Sequence, residues 1–210
     1  MRKPFLWLTL GLMPCLSACY FPTTFEKNDG IEHTLNPQPK QGYEITMTLA
    51  DAPGPFTSML GLVHYEMVNS ECLPPPKNKR GYNRYMMHDV PFELTRVSET
   101  EYIGMVYADG ILDEDYYGHG ICRWQLIRAQ VHLKATSTPG ETVFDATISA
   151  ERLLAEKTEK NYYSKKFYTR HPGSKSDTLT FGHPDVTMLP PQSMEKDFFT
   201  VTLASKIISP

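Results

Sequence analysis

Residues 122–135 read CRWQLIRAQVHLKA, and they form the longest alternating stretch of the chain. Apolar side chains recur at every second position, as in a β-strand that buries one face. Trp124 and Leu126 are apolar at even positions, whereas the pattern continues at odd positions from Ile127 onward. A strand changes phase only through an extra residue, so we predict a β-bulge near Leu126–Ile127.

Shorter alternating stretches fill much of the chain downstream of residue 42. They predict strands at 43–49, 90–95, 103–107, 144–148, 179–181 and 199–203, with residues 90–107 forming one hairpin. Residues 151–160 are the one candidate helix, with Glu156 and Lys160 spaced as an i,i+4 pair, and they fit a charged hairpin arm equally well. Short strands and proline-rich loops together predict an all-β domain, an antiparallel β-sandwich of immunoglobulin-like style with at most one short helix.

The first residues have the layout of a secretory signal. Met1-Arg2-Lys3 is basic, and the apolar run from Phe5 to Leu16 is too short to span a membrane. Leu16-Ser17-Ala18-Cys19 resembles the cleavage box of bacterial lipoproteins. That resemblance implies removal of residues 1–18 and a lipid anchor on Cys19.

The residue after the acylated cysteine bears on the destination of a lipoprotein. Tyr20 stands there in place of the aspartate that is familiar as an inner-membrane retention signal, so the resemblance implies the outer membrane, facing the periplasm. Residues 19–42 are polar and aperiodic, which predicts a lipidated flexible tether. Residues 43–210 are then a single folded domain. The net charge of −3 disfavours nucleic acid as a partner, and lipid is the one membrane attachment that we expect.

Four cysteines are present in the chain. Cys15 lies in the signal and Cys19 takes the lipid, which leaves Cys72 and Cys122 as a pair in an oxidising compartment. No C-x-x-C spacing or nearby histidine favours a metal pair, so we predict a Cys72–Cys122 disulfide. In the chain-entropy model, closing this loop contributes about 4 kcal/mol to stability.

The most distinctive internal segment is DGILDEDYYGHG, residues 109–120, here called the acidic loop. Three readings of it stay open: a solvated turn, a protein-binding loop or a site for a hard cation. The spacing is not that of an EF-hand, because Ile111 stands at the second ligand position. Aromatic side chains beside charges favour protein binding. The candidate contact residues are Asp113, Glu114, Asp115, Tyr116, Tyr117 and His119.

Two further segments mix charge with stiff or aromatic residues. LPPPKNKRGYNR, residues 73–84, is basic and starts next to Cys72, so a disulfide would bring it to the same end of the domain as the acidic loop. NYYSKKFYTR, residues 161–170, fits an amphipathic strand with Tyr163 and Phe167 inward, although contact with sugar or peptidoglycan is conceivable.

The sequence shows little catalytic or metal-binding signal. No G-x-S-x-G, H-E-x-x-H or C-x-x-C motif occurs, and no two of the seven histidines lie within four residues of each other. We therefore expect no enzyme activity, no catalytic residues, no resident metal and no cofactor.

A second resemblance concerns the whole mature chain in style. A tethered β domain of this size, with DGILDEDYYGHGICRW before a strand, resembles the immunity lipoproteins that protect bacteria from type VI secretion lipase effectors. The resemblance implies a periplasmic protein that binds and neutralises a partner protein. The alternatives are a structural or assembly lipoprotein of the envelope and a ligand- or cation-binding lipoprotein.

Overall fold

Two five-stranded sheets form a β-sandwich in the structure, a computed structural model that describes residues 32–75, 86–170, 173, 175–188 and 195–208. The first sheet has the order β4-β5-β1-β10-β8, and the second has the order β3-β2-β6-β7-β9. Neighbouring strands are antiparallel except for the parallel pair β7 and β9. The elements are β1 (Gly42–Ala50), β2 (Ser58–Met67), β3 (Met87–Phe92), β4 (Leu94–Arg96), β5 (Glu101–Tyr107), β6 (Trp124–Lys134), β7 (Thr142–Ser149), α1 (Ala150–Leu154), β8 (Thr158–Ser164), β9 (Thr178–Phe181) and β10 (Phe198–Ile208). The predicted β-sandwich is confirmed.

The predicted bulge lies in β6, where it pairs with β2. His64 pairs with Arg128 and the next residue, Tyr65, pairs with Leu126, so Ile127 is the extra residue. Leu126 is buried before the bulge, and Ala129, Val131 and Leu133 are buried after it. The bulge therefore keeps one face of the strand on the core across the change of phase.

Aromatic side chains fill the core between β7, β8 and β10. The rings of Tyr163 and Phe199 stack with centroids 5.2 Å apart, and Phe144 meets Phe199 edge to face at 5.1 Å. All three side chains are buried, and the Tyr163 hydroxyl donates to the Asp145 carbonyl oxygen at 2.5 Å. The inward prediction for Tyr163 is confirmed, and Phe167 is half-buried against the same core.

The stretch predicted as one strand at 90–95 is divided between the two sheets, so that prediction was wrong. β3 pairs with β2 in the second sheet, whereas β4 pairs with β5 in the first. The chain crosses at Glu93, and Phe92 fits there because Gly61 and Gly104 have no side chains: an added Cβ on either glycine would lie within 2.8 Å of the Phe92 ring. The predicted hairpin is confirmed for β4 and β5.

The helix is shorter than residues 151–160. It spans Ala150–Leu154, and the Ser149 side chain caps it by accepting from Arg152 N at 3.4 Å. Glu156 follows with a φ of 53°, and β8 begins at Thr158, so Glu156 and Lys160 form no helical pair. Among the described residues, no helix is long and apolar enough to cross a membrane.

Candidate partner-binding loop

The disulfide between Cys72 and Cys122 anchors the base of the acidic loop. Its Cα atoms are 5.3 Å apart, and both cysteines are buried in a small cluster with Met67 and Met86. Tyr116 and Tyr117 pack against this cluster from the loop side. The predicted disulfide is confirmed, and it ties the end of the loop to the segment that follows β2.

The first residue of the basic segment, Leu73, packs in the same disulfide cluster as Met86, which lies two residues beyond the end of that segment. Most of the basic segment lies outside the described residues.

The acidic side chains hold the loop in shape. Asp113 Oδ1 accepts a hydrogen bond from Trp124 N at 2.9 Å, so it joins the middle of the loop to the start of β6. Asp115 Oδ1 accepts from Gly118 N at 2.7 Å and His119 N at 3.0 Å. Asp113 and Asp115 are nevertheless exposed, so their charges face solvent while one oxygen of each organises the backbone.

Backbone donors around Asp115 influence its protonation. Desolvation opposes the charged form, but hydrogen bonds from the N–H groups of Gly120, Gly118, His119 and Tyr117 outweigh it and lower the pKa of the carboxyl. The glycines make this geometry accessible, because Gly118 and Gly120 have φ values of 75° and 107°. The turn therefore presents a carboxylate that stays ionised in mild acid.

Tyr116 is an anchor of the loop. Its hydroxyl donates to the Leu112 carbonyl oxygen at 2.6 Å and accepts from Thr34 N at 3.3 Å. Burial, with a smaller effect from the charge of Glu114, raises the pKa of this phenol. Glu114 Oε2 in turn accepts from Thr34 Oγ1 at 2.9 Å.

Tyr117 and His119 lie closer to the tip of the loop than Tyr116. Tyr117 is half-buried beside the disulfide cluster, and His119 is exposed between two glycines. Ile121, which sequence reasoning did not single out, has 53% of its surface exposed next to Cys122. The loop and the adjoining Ile121 thus offer charge, an aromatic ring and an aliphatic side chain close together in the chain.

Residues 32–41 lie against the domain as a strap beside the acidic loop. Leu112 N donates to Thr34 O, Asn36 N donates to Gly110 O, and Ala108 N donates to Gln41 O, each at 2.9 Å. The sequence places these residues in the flexible tether. In the structure they extend the pairing of β1 with β5. The predicted signal, Cys19 and the tether up to residue 31 lie outside the described residues.

Edge-to-face ring contacts hold the strap against the loop. His33 is 7% exposed, and its ring meets those of Tyr116, Trp124 and His88 at centroid distances of 5.0, 4.7 and 5.4 Å. Sequence reasoning missed this cluster because its members come from four separate segments. The one signal in the sequence is a histidine within a polar stretch that also contains Leu35.

The interpretation of the acidic loop as a cation-binding site has little geometric support. The carboxylates of Asp113, Glu114 and Asp115 accept hydrogen bonds from four different donors. No group of three or more His, Cys, Asp or Glu side chains within the described ranges is arranged to hold a metal ion. Comparison with protein-family models, with curated proteins and with solved structures finds no match for this chain.

Proposed function

We propose that this chain is an outer-membrane lipoprotein, anchored through Cys19 and facing the periplasm, that binds and neutralises a partner protein. We further propose that the partner is a secreted antibacterial toxin, as for the immunity lipoproteins that the sequence resembles. The observation that carries the binding proposal is the acidic loop. The loop is exposed at its tip. The disulfide braces it, and so do the hydrogen bonds that its carboxylate side chains accept from backbone N–H groups. A loop that is ordered in this way before binding loses less conformational entropy when it binds.

We assign different roles to the candidate contact residues. Asp113 and Asp115 supply exposed charge that speeds the encounter with a basic surface. Tyr117, His119 and Ile121 supply contact area next to those charges. Glu114 and Tyr116 hold the strap and the loop together, so their replacement acts on binding through the shape of the loop.

The binding role is tested with a substitution that removes charge but keeps hydrogen-bond acceptors. Asp113→Asn, Glu114→Gln and Asp115→Asn retain side-chain carbonyl oxygens, whereas alanine would also remove the bonds to Trp124, Thr34 and Gly118. The captured partner should bind the triple variant with a slower association rate and a weaker dependence on salt. The control removes two negative charges at the opposite end of β5, through Glu99→Gln and Glu101→Gln, and should bind normally. Unchanged association of the triple variant would contradict the role of the loop.

The immunity role is tested in cells. A strain that lacks this protein should be killed by sister cells that secrete the toxin, and wild-type protein should restore survival. Incorporation of a clickable fatty acid should label the wild type and leave Cys19→Ser unlabelled. If deletion instead causes a general envelope defect without any toxin, the structural or assembly alternative is favoured.

A further inference from the structure

The side of the sandwich where the chain crosses from β3 to β4 contains a groove that the proposed function does not use. The groove has a volume of about 510 Å³, and a second groove of about 360 Å³ lies next to it. Pro91, Phe92 and Glu93 line both. Volumes of this size are typical of sites for small ligands.

The larger groove opens because the edge of the first sheet is incomplete. β4 pairs with β5 over residues 102–104, and β5 continues to Tyr107 without β4 beside it. Val63 and Tyr65 of β2 are buried residues that line the groove, and Leu35 and Pro39 of the strap lie at its end. Most of the other lining side chains are apolar: Val90, Ile103, Met105 and Val106.

The charged side chains among the described lining residues of the larger groove are both negative. Glu44 and Glu93 are its charged members, and among the residues that the structure describes no lysine, arginine or histidine lines it. Glu93 is exposed at the crossing, whereas Glu44 has Lys206 opposite it on β10. The rings of Phe92 and Tyr107 also line the groove. Apolar walls, aromatic faces and carboxylates together favour a ligand with an apolar body and a positive charge.

We propose that this groove binds a small amphipathic cation, with the apolar part against Val90 and Met105 and the ammonium or guanidinium group near Glu93. Gly110 is the one residue of the acidic loop among the described residues that line this groove, and none of the candidate contact residues of the loop lines it. The proposal therefore does not depend on the immunity function.

The test compares two probes with the same alkyl chain, decyltrimethylammonium and decanoate, both below their micelle concentrations. Calorimetric titration of the full protein should give saturable binding of the cation, about tenfold tighter than binding of decanoate. Methyl resonances of Val63, Ile103 and Met105 should shift during the titration. Absence of saturable binding, equal affinity for decanoate, or shifts confined to other methyl groups would each overturn the proposal.

Two charge-removing variants test the assignment of Glu93. Glu93→Gln should weaken binding of decyltrimethylammonium by about two- to fivefold, since it removes one exposed charge. Glu99→Gln, an exposed glutamate in the turn between β4 and β5, should bind like the wild type. Equal effects of the two substitutions would overturn the assignment of Glu93. Thermal melts of both variants should match the wild type, because both glutamates are exposed.

Discussion

Asp115 Oδ1 lies 2.7 Å from Gly118 N, and this hydrogen bond closes the turn at the tip of the acidic loop. The same oxygen accepts from His119 N. A carboxylate that binds backbone donors is held more tightly in its charged form than in its protonated form. The shape of the loop and the ionisation of Asp115 are therefore coupled.

The first prediction concerns the pH dependence of this turn. The folded-state pKa of Asp115 is lowered from its ordinary value of 3.8, so its stabilising effect is present above that value and is lost as the pH falls through the folded pKa. The amide resonances of Gly118 and His119 should titrate with a common midpoint below 3.8. In Asp115→Asn, the same amides should lose that titration. A midpoint at or above the ordinary value would show that the backbone donors do not hold the carboxylate.

The second prediction concerns the disulfide. Replacing Cys72 and Cys122 together by alanine should lower the free energy of unfolding by about 2–4 kcal/mol, because the unfolded chain regains the freedom of an open loop. Urea denaturation with and without reductant measures the effect. Reductant should destabilise the wild type and leave the double variant unchanged. Equal denaturation midpoints for oxidised wild type and the double variant would contradict the prediction.

The sequence predicted the parts of the fold that depend on local periodicity. The change of phase at Ile127 predicted the bulge, because only an extra residue keeps Leu126 and Ala129 on the same face. The crossing at Glu93 could not be predicted, because the alternation from Val90 to Leu94 is the same whether one sheet or two receives the strand. Its cause is the fit of Phe92 beside Gly104, a contact between segments.

The position of the acidic loop was easier to predict than the hydrogen bonds that its side chains form. Charge and glycine content indicated an exposed turn, whereas the hydrogen bonds that Asp115 accepts from Gly118 N and His119 N were not predicted. The bonds from Thr34 to Glu114 and Tyr116 join residues far apart in the sequence. No periodicity marks residues 32–41, so the strap was predicted as part of the tether.

The third prediction compares the loss of stability on replacing a buried phenylalanine with that on replacing an exposed one. Phe199→Ala should lower the free energy of unfolding by about 3–5 kcal/mol, because it leaves a cavity against Tyr163 and Phe144. Phe181→Ala is the matched control, since 66% of Phe181 is exposed on β9, and it should change stability by at most about 0.5 kcal/mol. Chemical denaturation of both variants tests the pair. A large loss for Phe181→Ala would mean that the β9 edge contributes packing that its exposure does not indicate.

The fourth prediction concerns the crossing between the sheets. A Cβ on Gly104 would lie 2.7 Å from the Glu93 carbonyl oxygen and 2.8 Å from two carbons of the Phe92 ring. Gly104→Ala should therefore destabilise the fold by about 1–3 kcal/mol, even though alanine restricts the unfolded chain. Phe92→Ala removes the ring and leaves the carbonyl, so Gly104→Ala should cost less in that background. A double-mutant cycle followed by urea denaturation measures the difference.

Gly118→Ala is the control for this cycle. Gly118 has a φ of 75° and no neighbouring atom within 4 Å of an added Cβ, so its substitution strains the backbone without touching Phe92. Its cost should be the same with and without the Phe92 ring, because distant sites add. If Gly104→Ala behaves like this control, or stabilises the protein, then the packing of the Phe92 ring does not require a glycine at position 104. In that case the division of residues 90–95 between the sheets would need another cause.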